Sequence, residues 1–140
     1  MTRIHVFNAH PTYKVNKSIF KHLVQGVFHS EGTRTAACSL IFVDDKDMTD
    51  LNGTFLRHWY VTDVLSFPLH DNDDDGIEGE VYVNIDQARR QARDYRVPYK
   101  SELARLVVHG VLHLLGYQDS TKRQKARMSQ LEEQYLLLLH

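Results

Sequence analysis

The segment VVHGVLHLLGYQDS, residues 107–120, limits the fold more than any other part of the chain. In a helix expected over 99–115, the charged residues Lys100, Glu102 and Arg105 all fall in the first two turns. From Leu106 onward only His109 and His113 are polar, so this half must be buried on all sides and run through the middle of the domain. The i, i+4 spacing places both imidazoles on one helix face, one turn apart, the geometry of two ligands to one metal ion. Burying them with neither a metal nor a partner is too costly to be casual. Gly116 stands where a residue past the helix end adopts the left-handed conformation and turns the chain sharply back. A third ligand is therefore expected just beyond it.

The zinc protease signature H-E-x-x-H-x-x-G-x-x-H uses the same device. Its positions fall here on His109, His113, Gly116 and Asp119. A carboxylate is an acceptable zinc ligand, and two imidazoles plus Asp119 leave open the fourth position that catalytic zinc needs. One zinc per chain is the expected cofactor. Gly110 occupies the position of the protease general base, so a zinc peptidase lacks its main acid/base group.

Around this helix the sequence reads as strands over 3–8, 35–43, 63–67 and 80–85. Helices are expected from Asn16 as N-cap to Gly32, over a short stretch stopped near Asn52 and Gly53, from Asp86 as N-cap to Arg96, and over 121–138. Strands come early and helices late. The expected fold class is α+β: one domain over 1–140, with a small mixed four-stranded sheet, helices packed largely on one face and a central metal-binding helix. The single cysteine, Cys38, excludes an intrachain disulfide and fits a reducing, cytoplasmic setting. The start has no signal-peptide pattern and no apolar run is long enough to span a bilayer, so a soluble protein with no membrane partner is expected.

The segment HGVLHLLGYQD closely resembles the H-G-x-L-H-L-x-G-Y-D-H signature of the YbeY family, metal-dependent bacterial endoribonucleases that act as ribosomal RNA maturation factors. LNGTFLRHWYVTDVLSFP, residues 51–68, is similar to that family's L-N block followed by T-D/N-V-L-S-F-P, and GEVYVN, residues 79–84, to its G-D-I-x-I strand. The resemblance implies a zinc-dependent nuclease of single-stranded RNA, active in 16S rRNA 3′ end processing and ribosome quality control. The family's first two metal histidines carry over to His109 and His113, and its third falls on Asp119, with Gln118 beside it as a weaker alternative. The arginine often found four residues after the Asn of the L-N block is replaced by Leu56; Arg57 is the catalytic candidate in its stead, with His58 next to it. These departures keep open a ribosome assembly factor whose zinc is structural and whose catalysis is weak or lost.

A net charge of −1 gives no general argument for nucleic acid, so an RNA path must be locally basic. Arg89, Arg90, Arg93, Arg96, Lys100 and Arg105 gather on the two helices leading to the histidines, and Lys122, Arg123, Lys125 and Arg127 follow Asp119. Either group also reads as a solvated helix face. Trp59, Tyr60 and Phe67 are candidates for base stacking, Phe67 more naturally as core. Asp71, Asp73, Asp75 and Gly76 have the spacing of a calcium loop, but Tyr82 holds the position of its closing glutamate, and a plain acidic loop is the expectation.

Overall fold

The computed structural model describes residues 2–58, 61–69 and 76–139. Trp59, Tyr60 and the acidic run Asp71, Asp73 and Asp75 lie outside the described residues. The chain forms β1 (Thr2–Asn8), α1 (Lys17–Ser30), β2 (Thr35–Val43), α2 (Asp45–Leu56), β3 (Val64–Pro68), β4 (Gly76–Asn84), α3 (Ile85–Tyr95), α4 (Tyr99–Leu114) and α5 (Lys122–Leu136), with a closing 3₁₀ turn. The sheet order is β1-β2-β4-β3; β1, β2 and β4 run parallel and β3 is the antiparallel edge. This is the mixed four-stranded α+β arrangement expected from the sequence.

One face of the sheet carries the core. Along β2, Ala36, Cys38, Leu40 and Phe42 are buried in alternation, and Val81 and Val83 continue that face on β4. α1 covers it with Phe20, Leu23, Val24, Val27 and Phe28, the stripe that its periodicity marks, and the Asn16 side chain caps it by accepting the Ile19 N–H. α4 crosses the same face, with Leu103, Ala104, Leu106, Val107, Val108, Val111, Leu112 and Leu114 all buried. Ile41 and Tyr82 point the opposite way, where they line a shallow cleft with Leu51 and Phe55 of α2. Cys38 lies in the core, and burial, reinforced by the Glu80 charge, pushes its thiol up to about 12, which makes it inert.

Gly110 fixes how closely α4 approaches the sheet. A Cβ there would lie 2.4 Å from Val81 Cγ1 and 3.0 Å from Val64 Cγ2, so helix backbone rests directly on β3 and β4. The Ser66 hydroxyl donates to the Gly110 carbonyl at 2.8 Å, which ties the strand to the helix. Gly110→Ala is expected to destabilise by about 1–3 kcal/mol through overpacking. Intrinsic propensity alone would make the same change stabilising by about 1 kcal/mol, so the sign of the shift in denaturation midpoint tests the packing.

Three boundaries differ from the sequence reading. α2 does not stop at Asn52 and Gly53, both of which are buried, but runs on to Leu56 and ends where Arg57 takes the left-handed conformation at φ 58°. Burial of that turn outweighs the local turn preference of Asn-Gly. α3 is capped by Asn84, whose side chain accepts the Gln87 N–H, rather than by Asp86. Asp86 instead uses both carboxylate oxygens elsewhere, one with His10 Nε2 at 2.8 Å and one accepting the Asp45 N–H at 3.0 Å. β4 begins at Gly76, four residues before the apolar pattern starts, because its backbone pairs with β2 from Thr35 onward and leaves Glu78 on the surface.

Candidate metal centre

The geometry begins with α4. His109 and His113 leave its buried half toward a cleft bordered by β3, and both remain part-exposed. Leu115 is the C-cap and Gly116 follows with φ 101°, while the Gly116 and Tyr117 N–H groups donate to the His113 and Leu112 carbonyls. That is the left-handed turn expected of Gly116. The returning loop is held at both ends. The Tyr117 hydroxyl donates to Glu31 at 2.6 Å, and Tyr135 of α5 shares the same carboxylate. Beyond the loop, Thr121 and Gln124 form a reciprocal capping box at the start of α5.

This loop carries Asp119 back to the histidines. His109 Nε2 and His113 Nε2 are 3.0 Å apart, and Asp119 Oδ2 lies 3.3 Å from the first and 3.4 Å from the second. Ligands about 2.0–2.1 Å from a tetrahedral ion stand about 3.3–3.4 Å from one another, so this triangle fits three corners of such a sphere. Donor atoms from all three residues lie within 4.8 Å of one another. Gln118, the weaker alternative, is exposed.

A carboxylate from α5 completes the arrangement. Glu132, 4% exposed, accepts the Nδ1–H of His109 at 2.7 Å. A carboxylate can only accept, so the proton sits on Nδ1 and the Nε2 lone pair is free for a cation. Arg105 fixes Glu132 in turn, donating to it at 3.2 Å and to both oxygens of Glu102 at 2.9 and 2.6 Å. Gln91 of α3 donates to Glu102 at 2.7 Å. His109 thus rests on a polar network drawn from α3, α4 and α5, whose charges come from α4 and α5.

The field at the site favours a cation. Burial opposes the imidazolium of His109, yet the hydrogen bond and charge of Glu132, with Asp119 and Asp63 behind them, hold its pKa above the ordinary value. Asp63 lines the open cleft in front of the ligands, with Val64, Leu65, Ser66 and Pro68. Its position is set by the Asn84 N–H, which donates to the Asp63 carbonyl at 2.9 Å.

A model of endoribonuclease YbeY matches residues 5–140. The chain belongs to the YbeY family. A YbeY endoribonuclease of Salinibacter ruber is 37% identical over 134 residues, 91% of this chain and 85% of that protein. One from Chloroherpeton thalassium is 36% identical over 129 residues, 92% of this chain and 86% of that protein. A Thermotoga maritima solution structure has the same fold, with a TM-score of 0.67, 24% identity, and coverage of 97% of this chain and 88% of that one. Among the described residues, His109, His113 and Asp119 form a group able to hold a metal ion.

Other residues singled out by sequence are placed apart from that group. Arg57 is exposed at the end of α2 and does not line the cleft of Asp63 and the ligands. Arg90 forms a bidentate pair with Asp45, and Arg105 is spent on Glu102 and Glu132, so neither is a free cation for RNA. Phe67 packs edge-on between Phe55 and Tyr82, with ring centroids 5.6 and 5.7 Å away. Lys122, Arg123, Lys125 and Arg127 are exposed along α5. Sequence reasoning missed Glu132 and Asp63. Glu132 had a signal: it shares the buried stripe of α5 with Met128, Leu131 and Tyr135, an acid where an apolar residue is expected. Asp63 had one as well: it is the acid of the T-D/N-V-L-S-F-P block, but its pattern reads only as the start of a strand.

Proposed function

We propose that this chain is a zinc-dependent endoribonuclease specific for single-stranded RNA, acting in the cytoplasm on the 3′ end of 16S rRNA during small-subunit maturation and quality control. The observation that supports it most is the convergence of His109, His113 and Asp119, with spacings that match a tetrahedral ion, in a chain of the YbeY family. Two imidazole nitrogens and one carboxylate oxygen suit zinc, with one coordination position left open.

When bound, the metal supplies Lewis-acid polarisation of a phosphoryl oxygen and lowers the pKa of a water molecule. The protein's own groups do the rest. Glu132 holds His109 in the ligating tautomer. Asp63 is the carboxylate of the cleft outside the ligand triad and is the group placed to accept a proton there. Arg57 joins this reading as a phosphate contact on the resemblance alone: it follows Leu56, which stands where the family's arginine falls. A peptidase mechanism would need a glutamate at position 110, where even a Cβ would meet Val81.

The test is cleavage of a 16S rRNA 3′ fragment and of casein by the same preparation, before and after chelation. RNA cutting that stops on chelation and returns with zinc, with casein left intact, is the expected result. Zinc bound at about one per chain with no RNA cleavage would instead support the assembly-factor reading, and cleavage that persists in fully metal-free protein would overturn the assignment.

A further inference from the structure

A second cleft, away from the metal centre, lies where α3 and the start of α4 meet the loop after β1. Tyr13, Asp86, Arg89, Arg90, Arg93 and Tyr99 line it. Arg90 is neutralised by Asp45, and both oxygens of Asp86 are taken by His10 and the Asp45 N–H. Two guanidiniums remain available. Arg89 lies over the ring of Tyr13 at 4.1 Å and near that of Tyr99 at 5.2 Å, with no carboxylate partner among the described residues. Arg93, one helical turn on, has a side chain 76% exposed and lies 3.9 Å from Asp94, itself 68% exposed, a pair of little strength.

The third observation is a hydroxyl. Tyr99 Oη is shielded from solvent and has no hydrogen-bond partner among the described residues, an uncompensated cost for a polar atom beside a cleft. An aromatic pair that holds one guanidinium rigid, a second guanidinium in line with it and a spare donor together match a sugar-phosphate strand. Tyr99 and His109 stand on one helix, about 15 Å apart along its axis.

We propose that this cleft is an RNA-binding exosite: Arg89 and Arg93 take phosphates of the single strand and the Tyr99 hydroxyl bonds a ribose or phosphate oxygen, holding the strand while a segment further along enters the metal centre. The proposal rests on the reading of the chain as an enzyme acting on RNA.

Fluorescence anisotropy of a labelled single-stranded oligouridylate with the full, metal-free chain tests it, since binding is then read without cleavage. Arg89→Gln/Arg93→Gln is expected to weaken binding about tenfold or more and to make the slope of log affinity against log salt shallower by about 1.4. Arg93→Gln alone, at a side chain with no packing role, should give about half of that slope change, which guards against a folding defect in the double variant. Tyr99→Phe should weaken binding with no fall in melting temperature, because no hydrogen bond within the protein is lost. Lys21→Gln, exposed on α1, is the control and should bind as wild type. Wild-type binding unchanged in all three cleft variants would overturn the exosite and leave the enzymatic reading intact. Displacement of the oligonucleotide by inorganic phosphate at matched phosphate concentration would overturn it in favour of a free-anion site. A wild-type chain that neither binds nor cuts single-stranded RNA would overturn the enzymatic reading, and the exosite with it.

Discussion

His113→Ala is expected to remove both metal retention and RNA cleavage while leaving the chain folded. His113 is part-exposed at the cleft, and among the described residues its Nε2 meets His109 and Asp119, so its loss opens no core cavity. Two donors would remain, one imidazole and one carboxylate, too few to hold zinc against dilution. Charge stabilisation by a catalytic metal is worth several kcal/mol, and each 1.36 kcal/mol is tenfold, so a loss on the order of 10³-fold in kcat/KM is expected. Metal analysis, circular dichroism and cleavage rates on one sample check it. Full activity with no bound zinc would remove the metal from the mechanism.

The same centre should give apo and loaded protein opposite responses to pH. In the metal-free fold His109 has a raised pKa, so its protonated pair with Glu132 stabilises the chain fully below the usual imidazole range. That contribution is lost as pH rises through the elevated value. Zinc needs the neutral ring, so its affinity should rise over the same interval. Thermal melts with and without zinc across mildly acidic to neutral pH should therefore diverge as pH increases.

What could be read from the sequence follows the range of the interactions involved. The His109, His113, Gly116 and Asp119 arrangement spans a single helix end and the turn after it, so local geometry carried it. The stripe of α1 and the alternation in β2 were plain for the same reason, one face of each being buried. Glu132 reaches His109 from another helix, 23 residues away, and no period in the chain joins them. The fate of Arg90 was likewise hidden, since its partner Asp45 is 45 residues distant, and so was the second half of Arg105's, since Glu132 is 27 residues away while Glu102 is a local i, i+3 neighbour. A cluster of basic letters gives charge, while only the fold shows which charges are already used.

Arg105→Met is expected to be the most destabilising single substitution near the site, at about 3–5 kcal/mol. Glu102 and Glu132 have side chains only 2% and 6% exposed, and Arg105, itself 30% exposed, is the cation that bridges them. Those two carboxylates in turn hold the Arg105 pKa above its ordinary value, hydrogen bonding by Glu102 leading over the opposing effect of burial. Without the guanidinium, two buried acids face each other and one must take up a proton to remain inside. The cost comes chiefly from the uncompensated charge left behind, so Arg105→Lys should recover only part of it: an ammonium cannot reproduce the fork that meets both Glu102 oxygens and also reaches Glu132. Because Glu132 fixes the tautomer of His109, either variant that remains folded should also bind zinc more weakly, by about 10–100-fold. Glu132→Gln separates the two effects. It keeps the volume and a carbonyl acceptor for His109 but removes the charge, so zinc affinity should fall with a smaller loss of stability than in Arg105→Met. Equal zinc affinity in Glu132→Gln and wild type, measured by competition with a chromophoric chelator, would show that the α5 carboxylate supports the fold alone and leaves the metal untouched.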